Sequence, residues 1–383
     1  PNGYNSTYAK TNVGEVYTFE YSGSGTTWNI RGSTLMGSQQ DEFCGEKVSL
    51  SDDGMVLALS GRFGAYVYRW SNSANNWVLV ERDIYSGNSV FVGDVKLSPD
   101  GLTLAVGNAT DNSFAGSCTV YKILDSKTLK ISNAILGGTS SQLGTSLSFN
   151  ADGSILAVSS PYYNSSTGRV EFYKFSGTDW EKLTNTLDGP NTSSLFGKSI
   201  AITPDASKLI VGVSQYDTPL VNIGAVYVYE ASTYSKLEVD YIYGDGSNLT
   251  GISSGSGLDT TQTLALSNVT TGLTVSSNIE ADILKSTTGI YHNDSLVLSK
   301  ELDIDWIQRG LDITGTGGSF GWDISTSSDG TVIAIGAYGA NSSGQVRVYE
   351  WTGTAWSQVG LDINGAASGD RFGSSVSLSS DGT

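Results

Sequence analysis

Five short acidic turns hold the side chains with the most obvious chemistry. They are "SDDG" at 51–54, "SPDG" at 98–101, "NADG" at 150–153, and "SSDG" at 327–330 and 379–382. Recurrent carboxylates could hold calcium, but that ion takes about six to eight oxygens at one site, and each turn offers one or two. Aspartate followed by glycine is also the pairing that builds a tight hairpin turn, because both residues tolerate left-handed backbone. Asp100, Asp152, Asp329 and Asp381 therefore read as turn formers, and removing calcium should leave the melting temperature unchanged.

Other reactive side chains are scarce. His292 is the single histidine, which excludes a histidine-dependent triad or a multi-histidine metal site within this sequence. Its neighbours in "YHND" are polar and place it at the surface. Cys44 and Cys118 stand where other copies of the same motifs carry Phe372 and Val346, so both read as buried thiols with no basic neighbour to activate them. Two cysteines cannot form a disulfide framework. The arginines (Arg31, Arg62, Arg69, Arg82, Arg169, Arg309, Arg347 and Arg371) fall mostly at repeat positions and form no evident cluster for a substrate carboxylate.

Aromatic residues remain. Trp28, Trp77, Trp180, Trp306 and Trp356 recur at one place in a repeat, so packing between repeats explains them more simply than sugar stacking. Tyr162, Tyr163, Trp322 and Tyr338 do not recur and sit in or beside loop-bearing segments. Recognition usually rests on loops carried by a rigid scaffold, and these four are the candidate ligand-binding residues. The sequence calls for no catalytic residues, no metal and no cofactor.

The scaffold that must position them is a repeat of about 50 residues. Its clearest copy runs from Phe320 to Ile363, with period-two alternation at Ile324 to Thr326, Val332 to Ile335, Val346 to Tyr349 and Trp356 to Ile363. These predict a four-stranded antiparallel meander with the Asp329–Gly330 turn between its first two strands. The position of Gly373 in "RFGSSVSLSSDG" is matched by Gly45, Val92, Gly144, Gly197 and Gly321. Third strands repeat as "GEVYTFEY", "GAYVYRW", "GSCTVYKI", "GRVEFYKF", "GAVYVYEA" and "GQVRVYEW", with an aromatic near the end of each. Five complete and two partial units give about seven blade positions of a β-propeller, with six or a longer array as alternatives. Because both ends cut through a repeat, the chain reads as part of a longer product.

One repeat is interrupted between its third and fourth strands. Residues 1–232 and 305–383 carry the blades, and 233–304 form an insertion rich in Ser, Thr, Asn and Gly with short β-like runs. That insertion is either a small β-rich module or a disordered linker. The net charge of −17 disfavours nucleic acid or an anionic membrane as partner. No apolar run approaches the roughly 20 residues of a membrane-spanning helix. Eight Asn-x-Ser/Thr sequons (Asn5, Asn108, Asn164, Asn191, Asn248, Asn268, Asn293 and Asn341) would suit a secreted protein.

The segments "RFGSSVSLSSDGT", "FGWDISTSSDGTVIAIGAYGANSSGQVRVY" and "LFGKSIAITPDASKLIVGV…GAVYVY" resemble FG-GAP-type repeats, the blades of integrin α-subunit propellers and of many microbial and viral surface proteins. The resemblance covers everything but the insertion. It departs from the family in lacking the Asp-x-Asp-x-Asp-Gly loop of calcium-binding blades. Within the insertion, "YGDGSNLTGIS" resembles modules of phage and algal-virus tail fibres. The resemblance implies a non-enzymatic propeller at a cell or virion surface that binds a protein or glycan. An alternative is a structural spike or fibre component that forms homo-oligomers through the insertion. A glycan-active enzyme is a third reading: sialidases are propellers too, but their Asp-box separates Asp from Gly and adds a Trp, unlike "SPDGLTL".

Overall fold

The computed structural model describes residues 12–21, 28–84, 93–215, 223–232 and 305–382, together with four short strands between 235 and 298. The expectations placed on Val92, on the side chain of His292 and on the sequons at Asn5, Asn248, Asn268 and Asn293 lie outside the described residues. Two compact units separate, Pro1–Ala231 with Trp306–Thr383, and Ser232–Asp305.

Among the described residues, the first unit contains five antiparallel sheets in chain order, each a path of four strands, and three of them carry a fifth, two-residue strand beside the path. We number the blades by position, so these are blades 2 to 6. Blade 6 is representative, with strands Asp323–Thr326, Val332–Ala337, Gln345–Trp351 and Trp356–Asn364. Partial blades flank the five. Blade 1 comprises Glu15–Val16 and Phe19–Tyr21 paired with Leu35–Met36 and Trp28–Ile30. The stretch 373–382, blade 7, lies along the first strand of blade 6: the Val376 and Leu378 amides donate to Asp323 Oδ2 (2.8 Å) and Ser325 Oγ (2.9 Å). In blade 5 the third strand, Ala225–Ser232, has Asp305–Gln308 as its neighbour, on the far side of the long insertion in sequence.

The apolar core is divided among the gaps between blades. Val56, Ala58 and Val67 of blade 2 pack with Val95, Leu104 and Val106 of blade 3. Ile210, Val226 and Val228 of blade 5 pack with Ile324, Ile333 and Ile335 of blade 6. A sheet apolar on both faces must be covered on both, and stacking identical sheets in series does this. Backbone contact tightens the joints. Gly168, Gly224 and Gly344, each opening a third strand, pair with Phe196, Phe320 and Phe372 of the following blade. A Cβ on Gly224 would stand 2.0 Å from the Phe320 carbonyl oxygen, so no larger residue fits.

The second unit is described only by the pairs Ser235–Leu237 with Ile279–Ala281 and Ile290–His292 with Ser295–Leu298. No described helix is long and apolar enough to cross a membrane.

Candidate functional site

Antiparallel pairing sorts the connections of every blade to two ends. The Asp-Gly turns and the third-to-fourth hairpins share one end; the starts of first strands and the second-to-third loops share the other.

At the turn end, the carboxylates are occupied by their own turns. Asp329 accepts from the Thr331 amide (2.9 Å), Thr331 Oγ1 (2.8 Å) and Ser327 Oγ (2.7 Å). Asp100 and Asp53 repeat the arrangement with Ser98 and Leu102, and with Ser51 and Met55. At Asp329 and Asp53 these hydrogen bonds favour the ionised form. Ser327 and Thr331 hold Asp329 below the usual carboxylate range, and Ser51 and Met55 do the same for Asp53. The Ser328 amide also donates to the Ser380 carbonyl, and the Asp52 amide to that of Pro99, which ties each turn to the next. Among the described residues, no group of three or more His, Cys, Asp or Glu side chains is placed to hold a metal ion.

The loop end brings unlike residues together. The residue after the Gly197/Gly321 position is Lys198 in blade 5 and Trp322 in blade 6. Adjacent first strands place them side by side, and Lys198 Nζ lies 4.3 Å from the Trp322 ring centroid. Tyr338, at the end of the second strand of blade 6, meets the same indole at 4.5 Å, tilted 58°. All three side chains are half-buried. Burial holds the Lys198 ammonium below the ordinary lysine value, and the charge of Lys47 on blade 2 adds to the effect. On the first strand of blade 3, burial pushes Asp94 up, opposed by Lys47 and Lys96, while its carboxylate accepts from the Leu147 amide of blade 4 at 2.9 Å.

Of the four predicted ligand residues, the structure joins Trp322 and Tyr338 and leaves Tyr162 and Tyr163 two blades away, in the second-to-third loop of blade 4. Tyr162 is exposed. Tyr163 is covered by the Arg169 guanidinium, 3.9 Å from its ring centroid, and Arg169 is itself paired with Asp188 at 2.5 and 2.7 Å. Sequence reading missed Lys198. The repeat register could have found it, since Lys198 occupies in blade 5 the position of Trp322 in blade 6.

The recurring tryptophans are taken up by packing between or within blades. Trp77 donates to Thr18 Oγ1 of blade 1 at 2.8 Å, Trp306 stacks on Phe172 of blade 4 at 4.9 Å, and Trp180 lies between Phe149 and Phe175 of its own blade. Trp28 departs from the pattern and is exposed. Cys44 and Cys118 are free and buried; burial pushes the Cys44 thiol up to about 12 and raises that of Cys118 as well.

The sheets, their serial packing and the apportioned core define an all-β propeller of four-stranded antiparallel blades. No protein-family model and no curated protein matches the chain. Solved structures do. A candidate 6-phosphogluconolactonase from Bacteroides fragilis superposes with a TM-score of 0.53 at 11% identity, over 92% of this chain and 78% of that one. TolB from Acinetobacter baumannii gives 0.43 at 9% identity, over 89% of this chain and 60% of that one. Hydrazine synthase from Kuenenia stuttgartiensis gives 0.40 at 14% identity, over 92% and 94%. At such identity the first likeness bears on fold alone.

Proposed function

We propose that this chain is a non-enzymatic recognition propeller of the FG-GAP type, which binds a glycan or protein at a cell or virion surface through the loop end of its blades. The observation that supports this most is the Lys198–Trp322–Tyr338 cluster: an aromatic pair with a cation against it, contributed by two blades and made of residues that no repeat rule requires. Aromatic faces suit the apolar face of a sugar ring or an apolar side chain, and a rigid scaffold keeps the cost of ordering such a site low. Against enzymatic work stands the commitment of the Asp53, Asp100 and Asp329 carboxylates to their own turns. The test is a screen of the purified chain against immobilised glycans and host-type cells. The reading expects saturable binding with no turnover of the bound glycan. Binding no greater than background, or product accumulating with time, would end it.

A further inference from the structure

Lys198 carries a full charge that its surroundings do not answer. Among the described residues no oxygen accepts from its ammonium and no carboxylate forms an ion pair with it. What it meets is the Trp322 ring, 4.3 Å from Nζ to the centroid. Lys182 on blade 4 shows the alternative, since its ammonium is hydrogen-bonded and ion-paired to Glu171.

The polar groups around Lys198 are already engaged. Ser199 Oγ donates to the Gly321 carbonyl of blade 6 at 3.0 Å. Thr145, the counterpart of Lys198 in blade 4, donates to the Gln142 carbonyl at 2.7 Å, and Asp323, next to Trp322, accepts from the Val376 amide at 2.8 Å. The charge that acts on Lys198 is a second cation, Lys47 on blade 2. Asp94, which the charges of Lys47 and Lys96 reach, is held by the Leu147 and Val95 amides, both at 2.9 Å. A half-buried ammonium without an anion is costly to keep, and an aromatic face returns only part of that cost. A bound anion supplies the missing partner and has no protein carboxylate to displace.

The spacing of the cluster narrows the kind of anion. The ammonium and the Tyr338 ring lie 4.3 and 4.5 Å from the same indole centroid, so one sugar ring can reach all three groups. An acidic sugar carries its anionic group on the ring, beside C–H groups that suit an aromatic face. A peptide offers its carboxylate on one residue and its apolar surface on another, which calls for a wider site. A free inorganic anion would use Lys198 and leave both aromatics idle. The chain's charge of −17 opposes a long polyanion, but its distant part is screened for a short glycan docking where the acting charges are Lys47 and Lys198.

We propose that the Lys198–Trp322–Tyr338 cluster takes an acidic sugar, with the carboxylate or sulfate of the sugar on the Lys198 ammonium and its ring against Trp322 and Tyr338. This rests on the recognition reading above and adds the chemical class of the ligand.

An array of oligosaccharides printed in matched pairs tests it. Sialylated and uronic-acid glycans stand beside their carboxyl-reduced alcohols, sulfated glycans beside their desulfated forms, and an oligoglutamate peptide makes a further arm. Wild type should bind at least one acidic member about fivefold more tightly than its neutral partner, the upper end for a single partly exposed ion pair. The two kinds of pair tell carboxylate from sulfate. In Lys198→Met that ratio should fall to about one, while Lys198→Arg keeps most of it. Lys130→Met, which removes a cation from the exposed fourth strand of blade 3, should leave it unchanged. Lys198→Gln replaces Lys198→Met if near-ultraviolet circular dichroism shows the latter misfolded. Equal binding of acidic and neutral partners by wild type overturns the inference and leaves the recognition reading standing. A ratio that survives in Lys198→Met, or binding confined to the oligoglutamate peptide, overturns it as well. Failure to bind any glycan also overturns it, and the same failure on host-type cells overturns the recognition reading too.

Discussion

Phe320 and Phe372 occupy one repeat position, each followed by glycine, but the packing between blades assigns them different energies. Phe320 is enclosed by Ile313 of blade 5 and by Ile335 and Tyr349 of blade 6. Replacing it with alanine removes a fully buried ring and leaves a cavity that the flanking backbone cannot fill, because the chain at Gly224 already touches Phe320. Buried Phe→Ala changes cost about 3–5 kcal/mol. Phe372 keeps two fifths of its surface in water. Its truncation should cost about 1–2 kcal/mol, scaled by the area removed from water. The difference between the variants, about 2 kcal/mol, is what matters. An array of blades need not unfold in two states, so the readout is native-state hydrogen exchange at the Ile333 and Ile335 amides, supported by urea midpoints. Phe320→Ala should raise exchange at both amides far more than Phe372→Ala does. Equal effects, or a larger effect at Phe372, would refute the assignment of the core to the gaps between blades.

The turn carboxylates predict acid sensitivity. Asp53, Asp152 and Asp329 are held below the ordinary value of 3.8, mainly by hydrogen bonds from Ser51, Ser154 and Ser327. Their contribution to stability is complete above the unfolded-state value and is lost as pH falls through the lower folded-state values, so the unfolding midpoint should drop below about pH 4 from this cause and not above it. Asp329→Ala should cost about 1 kcal/mol by removing the nearer acceptor of the Thr331 amide and the acceptor of the Thr331 and Ser327 hydroxyls, and Asp329→Asn less, because the amide oxygen still accepts; thermal melts at neutral pH separate the two. Cys44 and Cys118 should resist a thiol reagent at pH 8 in the folded chain and react on addition of denaturant, as followed by mass spectrometry; fast native labelling of either would contradict their burial.

Much of the fold was legible because propeller blades repeat their constraints locally. The Asp-Gly turns, the third strands and the four runs between Ile324 and Ile363 each announce themselves within a few residues. The structure lengthens those runs by one to three residues and leaves their order unchanged. Contacts between blades were less legible, since they join residues far apart in sequence, as Gly168 with Phe196 and Trp77 with Thr18. The pairing of Trp322 with Tyr338 lies within one blade, so loop position sufficed to nominate both. Lys198 required the register of one blade to be laid on the next, and the cover over Tyr163 required the orientation of Arg169, which no motif encodes. Trp28 shows the limit of reading by repeat position: its sequence context matches Trp77, but exposure depends on what stands beside the blade.

The most direct test of the recognition reading is to titrate one glycan or cell type that binds wild type with Trp322→Ala, Lys198→Met and Tyr162→Ala, all in the same assay. The account predicts a loss of at least about tenfold for Trp322→Ala, equivalent to about 1.4 kcal/mol, a smaller loss for Lys198→Met and none for Tyr162→Ala. Undiminished affinity in Trp322→Ala, with the fold intact, would contradict the placement of recognition at the loop end of blades 5 and 6.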